Sequence, residues 1–118
     1  MAGISAYQQT SIETESKGRI VVKLYDGAIR FLRKALEAIN TGDFEQKGNL
    51  IIKARNIVLE LSAALDMEAG GEIAQNLRSL YNFILHRLTI ANIKCDKVAI
   101  EEVINLLANL NAGWKKIA

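Results

Sequence analysis

His86 is the one histidine in the 118-residue chain, and it is the first residue to weigh for chemistry. At helical spacing its neighbours are Asn82, Phe83, Thr89 and Ile90. None is a carboxylate or a thiolate, so the further ligands that a zinc ion requires are missing around it. A surface histidine is the expectation. Cys95 stands alone, which excludes an internal disulfide and fits a reducing compartment. Gly70-Gly71 precedes a helical pattern, where backbone N–H groups could cradle a phosphate. No Lys-Ser or Lys-Thr follows and no strand precedes, so neither a P-loop nor a dinucleotide fingerprint applies. The pair reads as a helix junction. Glu101-Glu102 and Glu13/Glu15 fall on exposed faces or in the N-terminal segment, with no pocket to shift a carboxyl pKa. No Ser-His-Asp or Cys-His constellation is present. The residues point away from an enzyme, and no metal, nucleotide or other cofactor is expected.

The composition agrees. Half of the residues are hydrophobic and 24% are charged, a globular balance. One domain over 1–118 is expected, large enough to bury roughly two thirds of its unfolded surface without a staple. The net charge of +2 carries no argument for nucleic acid. Met1 to Ser11 lacks a basic region followed by an apolar run, so no secretory signal is expected. No run approaches the ~18 apolar residues of a membrane span, so no membrane insertion is expected.

With no proline in the chain, glycines and capping residues must punctuate it. Residues 1–15 are polar and weakly periodic, with Ile4, Tyr7 and Ile12 as the apolar members, and read as a short arm or helical turn. Ser16 suits an N-cap, opening a helix over about 17–40. On that helix Arg19, Lys23, Asp26, Arg30, Arg33, Lys34 and Glu37 share a polar arc. The apolar arc is roughly 200° wide, against a little over ~100° for an ordinary surface helix. Within the polar arc, Asp26/Arg30 and Arg33/Glu37 stand four apart and predict a salt-bridged, solvated face.

Asp43, with Gln46 three residues on, reads as a capping box for a helix over about 44–65. Its core face is Leu50, Ala54, Ile57, Val58, Leu61, Ala64 and Leu65. The Gly70-Gly71 junction supplies the positive φ that ends this helix. A third helix over 72–93 presents Ile73, Leu77, Leu80, Tyr81, Ile84, Leu88 and Ala91. Asp96 caps a fourth over 97–117, whose face is Ile100, Val103, Leu106, Leu107, Leu110, Trp114 and Ile117. Trp114 is expected to pin the last turn. Four rods of similar length with short connections predict an all-α, antiparallel up-down four-helix bundle.

Some apolar residues fall outside these core faces. Ile52 and Leu59, with Ala63 beside them, lie nearly opposite the helix 2 core. Phe83 and Ile90 stand seven apart on the edge of the helix 3 face, and Val22, Ile29 and Leu36 repeat at seven on helix 1. Seams of this kind suit a core with generous edges, a homodimer contact or a groove for an amphipathic partner helix.

Several stretches also carry a resemblance. Ala6-Tyr7-Gln8-Gln9-Thr10, Leu24 to Ile29, Leu65-Asp66-Met67-Glu68 and Gly70-Gly71-Glu72-Ile73-Ala74 resemble the flagellin-specific export chaperones of the FliS family. Asn76-Leu77, Leu80-Tyr81 and Trp114 follow the same pattern, so the resemblance spans nearly the whole chain. It departs at Ser16-Lys17, where such chaperones commonly carry Ser-Pro. The resemblance implies a cytoplasmic bundle that binds the disordered C-terminal segment of flagellin one-to-one, prevents premature polymerisation and supports export. It places Val22, Ile29, Ile52, Leu59, Ala63, Phe83 and Ile90 on the cargo surface, with Ile4 and Tyr7 as an N-terminal cap over the groove. It also implies an encounter with the flagellar export gate. The alternative reading is a small helical protein whose seams serve self-association or regulation, without export cargo.

Overall fold

A computed structural model describes residues 6–117, with side chains from Lys17 onward. Four helices account for almost all of it: α1 Ala6–Thr41, α2 Phe44–Ala63, α3 Gly71–Lys94 and α4 Lys97–Ile117. No strand occurs among the described residues. Each helix packs on two others, α1 on α2 and α4, and α3 on α2 and α4, while the diagonal pairs stay apart. The polar cross-links give the directions. Lys97 at the start of α4 donates to Asn40 at the end of α1, whereas Asn111 near the end of α4 donates to Asp26. Lys47 at the start of α2 reaches Asn92 at the end of α3. The result is the antiparallel up-down-up-down bundle that the periodicity predicts.

Local chemistry explains most boundaries. Gly42, at φ 76°, ends α1, and the Asp43 carboxylate then accepts from the Gln46 N–H at 3.1 Å. Asp96 accepts from Ala99 N–H at 3.1 Å and opens α4 in the same way. The α3 terminus is less usual. Its αL cap is Cys95, at φ 50°, a conformation that glycine adopts far more easily.

Three boundaries differ from the sequence reading. Ser16 is no N-cap, because α1 runs through it and starts at Ala6. Lys17 can donate the backbone hydrogen bond that a proline there would remove, so the helix propagates through this point. The expected arm is therefore helical from Ala6, and Tyr7 belongs to α1; Ile4 lies outside the described residues. The second helix stops at Ala63 rather than 65, before any glycine. The loop that follows is organised by Asp66, whose carboxylate accepts from Glu68 and Ala69 N–H. The positive φ falls on Gly71, at 53°, and starts α3.

The core is a single cluster. Tyr25, Leu32, Ile51, Ile84, Leu88, Ile100 and Leu107 are its largest fully buried apolar members, together with Tyr81. The broad apolar arc of α1 has a plain cause: α1 is flanked by both α2 and α4 and buries two shoulders. At the centre the Tyr25 and Tyr81 hydroxyls hydrogen-bond to each other across the diagonal. Burial pushes both phenols above their ordinary range, for Tyr25 against the smaller opposing effect of hydrogen bonds to Tyr81 and Trp114. Lys47 is a second polar element of the interior. It is 7% exposed, and its ammonium donates to the backbone oxygen and Oδ1 of Asn92, both at 2.8 Å. It is thereby satisfied near the negative end of α3.

Candidate functional site

Exposed apolar side chains are the feature that the bundle core leaves unexplained. Among the described residues nine large ones exceed the exposure of core-packed residues, and their positions sort into three groups. Ile20, Ile73 and Ile117 lie at the end of the bundle where α1 enters, α3 starts and α4 stops. Phe44, Ile93 and Val98 lie at the opposite end. Ile52, Leu59 and Phe83 lie on the flanks, far from either end.

The first group corrects two core assignments and extends to a third. Ile73 is 73% exposed and Ile117 is 76% exposed, because each sits in a terminal turn with no neighbouring helix to cover it. Ala74 takes the buried place expected of Ile73. Ala64 is exposed for the same reason, since α2 has already ended. Beside this end lies a largely apolar notch of about 430 Å³. Ile20, Val21 and Leu24 of α1 line it with Leu61, Leu65, Tyr81 and Trp114. Trp114 is half-buried there and packs on the core, as its periodicity predicts.

The flank residues form a line on α2. Ile52 is 48% exposed, Leu59 is 46% exposed, and Ala63 closes the line at the last turn. Two contacts fix which way it faces. Gly48 lies on the α3 side, where an added Cβ would stand 3.8 Å from Asn92 Oδ1. Lys53 and Ile57 lie on the α1 side, with the Lys53 ammonium 5.6 Å from the Phe31 ring centroid. Gly48, Ile52, Arg55, Leu59 and Ser62 succeed one another by three or four residues and so share one stripe. That stripe is the shoulder of α2 next to α3.

Phe83 and Ile90 belong to a different flank. They bracket Arg87, which pairs with Glu102 of α4 at 2.7 Å, so their stripe lies on the α4 shoulder of α3. Phe83 is 45% exposed and Ile90 is half-buried. The structure therefore brings Ile52, Leu59 and Ala63 together, and sets Phe83 and Ile90 on a neighbouring groove.

The expected seam on α1 does not form. Ile29 is 7% exposed and part of the core, and Leu36 packs against it. Val22 and Leu36 are both half-buried, Val22 in a shallow depression with Arg19, Lys23 and Lys115. The cause is the direction of that edge, which lies on the shoulder of α1 that meets α4, beside Asp26 and its Asn111 partner. The salt-bridged polar face is also different from expectation. Asp26 turns from Arg30 to α4, where it accepts from Asn111 at 2.8 Å and meets Lys115 at 3.5 Å. No ion pair joins Arg33 to Glu37 among the described residues.

His86 is exposed, and no group of three or more potential metal ligands occurs among the described residues. No described helix is long and apolar enough to cross a membrane. Chemically, the surface offers apolar contact along two flanks, in one end notch and at the opposite end around Phe44, Ile93 and Val98.

The profile of a family described as flagellar protein FliS matches residues 1–118. A protein of Salmonella typhimurium named flagellar secretion chaperone FliS is 43% identical, over 99% of this chain and 90% of that protein. The Bacillus subtilis protein of the same name is 35% identical, over 95% of this chain and 83% of that protein. A Pseudomonas aeruginosa protein named flagellar secretion chaperone FliSB is 37% identical, over 100% of this chain and 97% of that protein. The chain therefore belongs to the FliS family of flagellar proteins.

Proposed function

We propose that this protein is a flagellar secretion chaperone of the cytoplasm that binds the disordered C-terminal segment of flagellin. It holds that segment one-to-one, prevents its premature polymerisation and hands it on at the export gate. Family membership and the names of its relatives support the class of function. The observation that carries the placement of cargo is the uncovered line Ile52–Leu59–Ala63 beside the α2/α3 groove. A segment that is disordered when free must offset its own ordering entropy, and extended apolar lines suit that better than one pocket. Phe83, Ile90 and Val22 supply further cargo contacts on the neighbouring grooves. Ile4 and Tyr7 cap the surface when cargo is absent, which requires α1 to bend or melt before Lys17. Binding and release are the whole of the activity, with no bond made or broken.

The test is Leu59→Glu, titrated calorimetrically with the flagellin C-terminal segment and melted alongside the parent. A carboxylate buried by cargo without a counter-ion should weaken binding at least tenfold. The melting midpoint should stay close to the parent, because Leu59 is outside the core. Unchanged affinity would remove Leu59 from the cargo surface. Self-association is the second reading, favoured by the exposed Phe44, Ile93 and Val98 at one end. Sedimentation of the cargo-free chain distinguishes it, through a dimer that Val98→Glu dissolves.

A further inference from the structure

Arg55 sits in the middle of the outward α2 stripe, three residues after Ile52 and four before Leu59. It is half-buried, and its Nε is fully buried without a hydrogen-bond partner among the described residues. A buried donor on a charged group that lacks a partner is costly, and such groups are ordinarily satisfied. The described ion pairs, Arg87–Glu102 and Lys115–Asp26, do not involve it.

The opposite wall of the groove offers no anion. The Lys47–Asn92 bonds turn Asn92 toward α2, and the seven-residue repeat puts Leu85 and Arg78 on the same side. After Glu72, in its first turn, α3 contains no Asp or Glu at all. On α2 the acids are Glu45, in the first turn, and Glu60, which lines the notch on the α1 side. Among the described residues of α2 and α3, the groove is thus apolar along Ile52 and Leu59, cationic at Arg55 and Arg78, and free of carboxylates.

We propose that Arg55 binds a carboxylate of the cargo. This rests on the reading of the groove as the seat of the flagellin C-terminal segment and specifies the chemistry of that segment. Ile52 and Leu59 are two helical turns apart, so the cargo side chains that cover them are spaced alike. The Asp or Glu that meets Arg55 lies in the turn between them. The half-buried side chain swings outward to meet it, so that the guanidinium fork holds the carboxylate with two parallel bonds and Nε leaves its unpartnered position. Covering by the cargo's apolar residues excludes water and strengthens the pair. Apolar contacts alone would tolerate a slip of one turn. A single ion pair between them rejects that slip, because it would leave a charge desolvated and unpaired.

The experiment uses the intact protein and the purified C-terminal segment of flagellin. Calorimetric affinities are measured for the parent, Arg55→Leu and Arg55→Gln at low and high salt, with melting curves for each. The parent is also titrated with segments in which each acid is replaced singly by its amide. Arg55→Leu should bind at least tenfold more weakly and with a flatter salt dependence. One amide replacement should match that loss in the parent and add nothing in Arg55→Leu. Equal affinity of both Arg55 variants and the parent would overturn the proposal. If the Arg55 variants fail to fold, the amide series on the parent decides it, and no loss with any amide overturns it. Failure of the parent to bind the unmodified segment would instead overturn the flagellin reading, before any variant is compared.

Discussion

Tyr25 and Tyr81 are the residues on which the centre of the bundle depends. They are 0% and 1% exposed, and their hydroxyls satisfy each other. Replacing Tyr25 with phenylalanine leaves the Tyr81 hydroxyl buried and unpaired, which should cost about 1–3 kcal/mol, whereas replacing Tyr81 should cost less, because Tyr25 keeps Trp114 as a partner. Replacing both should cost clearly less than the sum of the two single changes. Denaturant unfolding of the four proteins measures this coupling, and additivity would argue against a shared bond. The same pair sets an alkaline limit. In the unfolded chain both phenols release their protons near pH ~10, while in the folded chain burial holds both protons on. Above that pH the unfolded state therefore binds fewer protons, and stability falls as pH rises. Below it the pair contributes no pH dependence. The melting midpoint should decline above pH ~10 and do so less in the double phenylalanine variant.

Among the elements, the α2–α3 junction is the most constrained. A Cβ added at Gly70 would lie 2.6 Å from Ala74 Cβ and 2.7 Å from the Asp66 backbone oxygen. Neither atom can move without disturbing the first turn of α3 or the Asp66 loop. Gly70→Ala should therefore lower stability by about 1–3 kcal/mol. Gly113 is the matched control, in the interior of α4 with nothing within 4 Å. Gly113→Ala should raise stability by about 0.4–1 kcal/mol, mainly by restricting the unfolded chain. Chemical denaturation of the two variants gives both signs directly. If Gly70→Ala proves neutral, the loop closes differently from the arrangement described.

At the scale of the molecule, α1 sets the dimensions. Its 36 residues, roughly 54 Å of helix, match the longest extent of 57 Å. The two flank grooves lie on opposite shoulders of α3, so one cargo chain must wrap around that helix to occupy both. If the proposed cargo reading holds, Phe83→Glu should weaken binding of the whole flagellin C-terminal segment, as Leu59→Glu should. Against two half-segments the effects should separate, each substitution weakening one half. Calorimetric titration of both halves checks this, and a Phe83→Glu protein that binds both normally would take the α3/α4 groove out of the cargo surface.

The sequence by itself determined the helices, their caps at Asp43 and Asp96, and the stripe on α2. These depend on local bonding and on the 3.6-residue period, both of which short stretches of chain contain. It also carried the family, through motifs distributed along the chain. Tertiary structure alone decided which apolar edges stay open. Ile29 and Leu36 have the same spacing signal as Ile52 and Leu59, yet the α1 line faces α4, whereas neither neighbour of α2 covers its outward line. Ile73 and Ile117 were indistinguishable from core residues by period, but terminal turns have no neighbour to bury them. Asp26 has an arginine four residues away and bonds instead to Asn111, eighty-five residues on, because the antiparallel return of α4 brings that amide within 2.8 Å. The Tyr25–Tyr81 bond and the unpartnered Arg55 Nε follow the same rule. A helical period says which residues share a face, whereas only the packing of four helices says what each face meets.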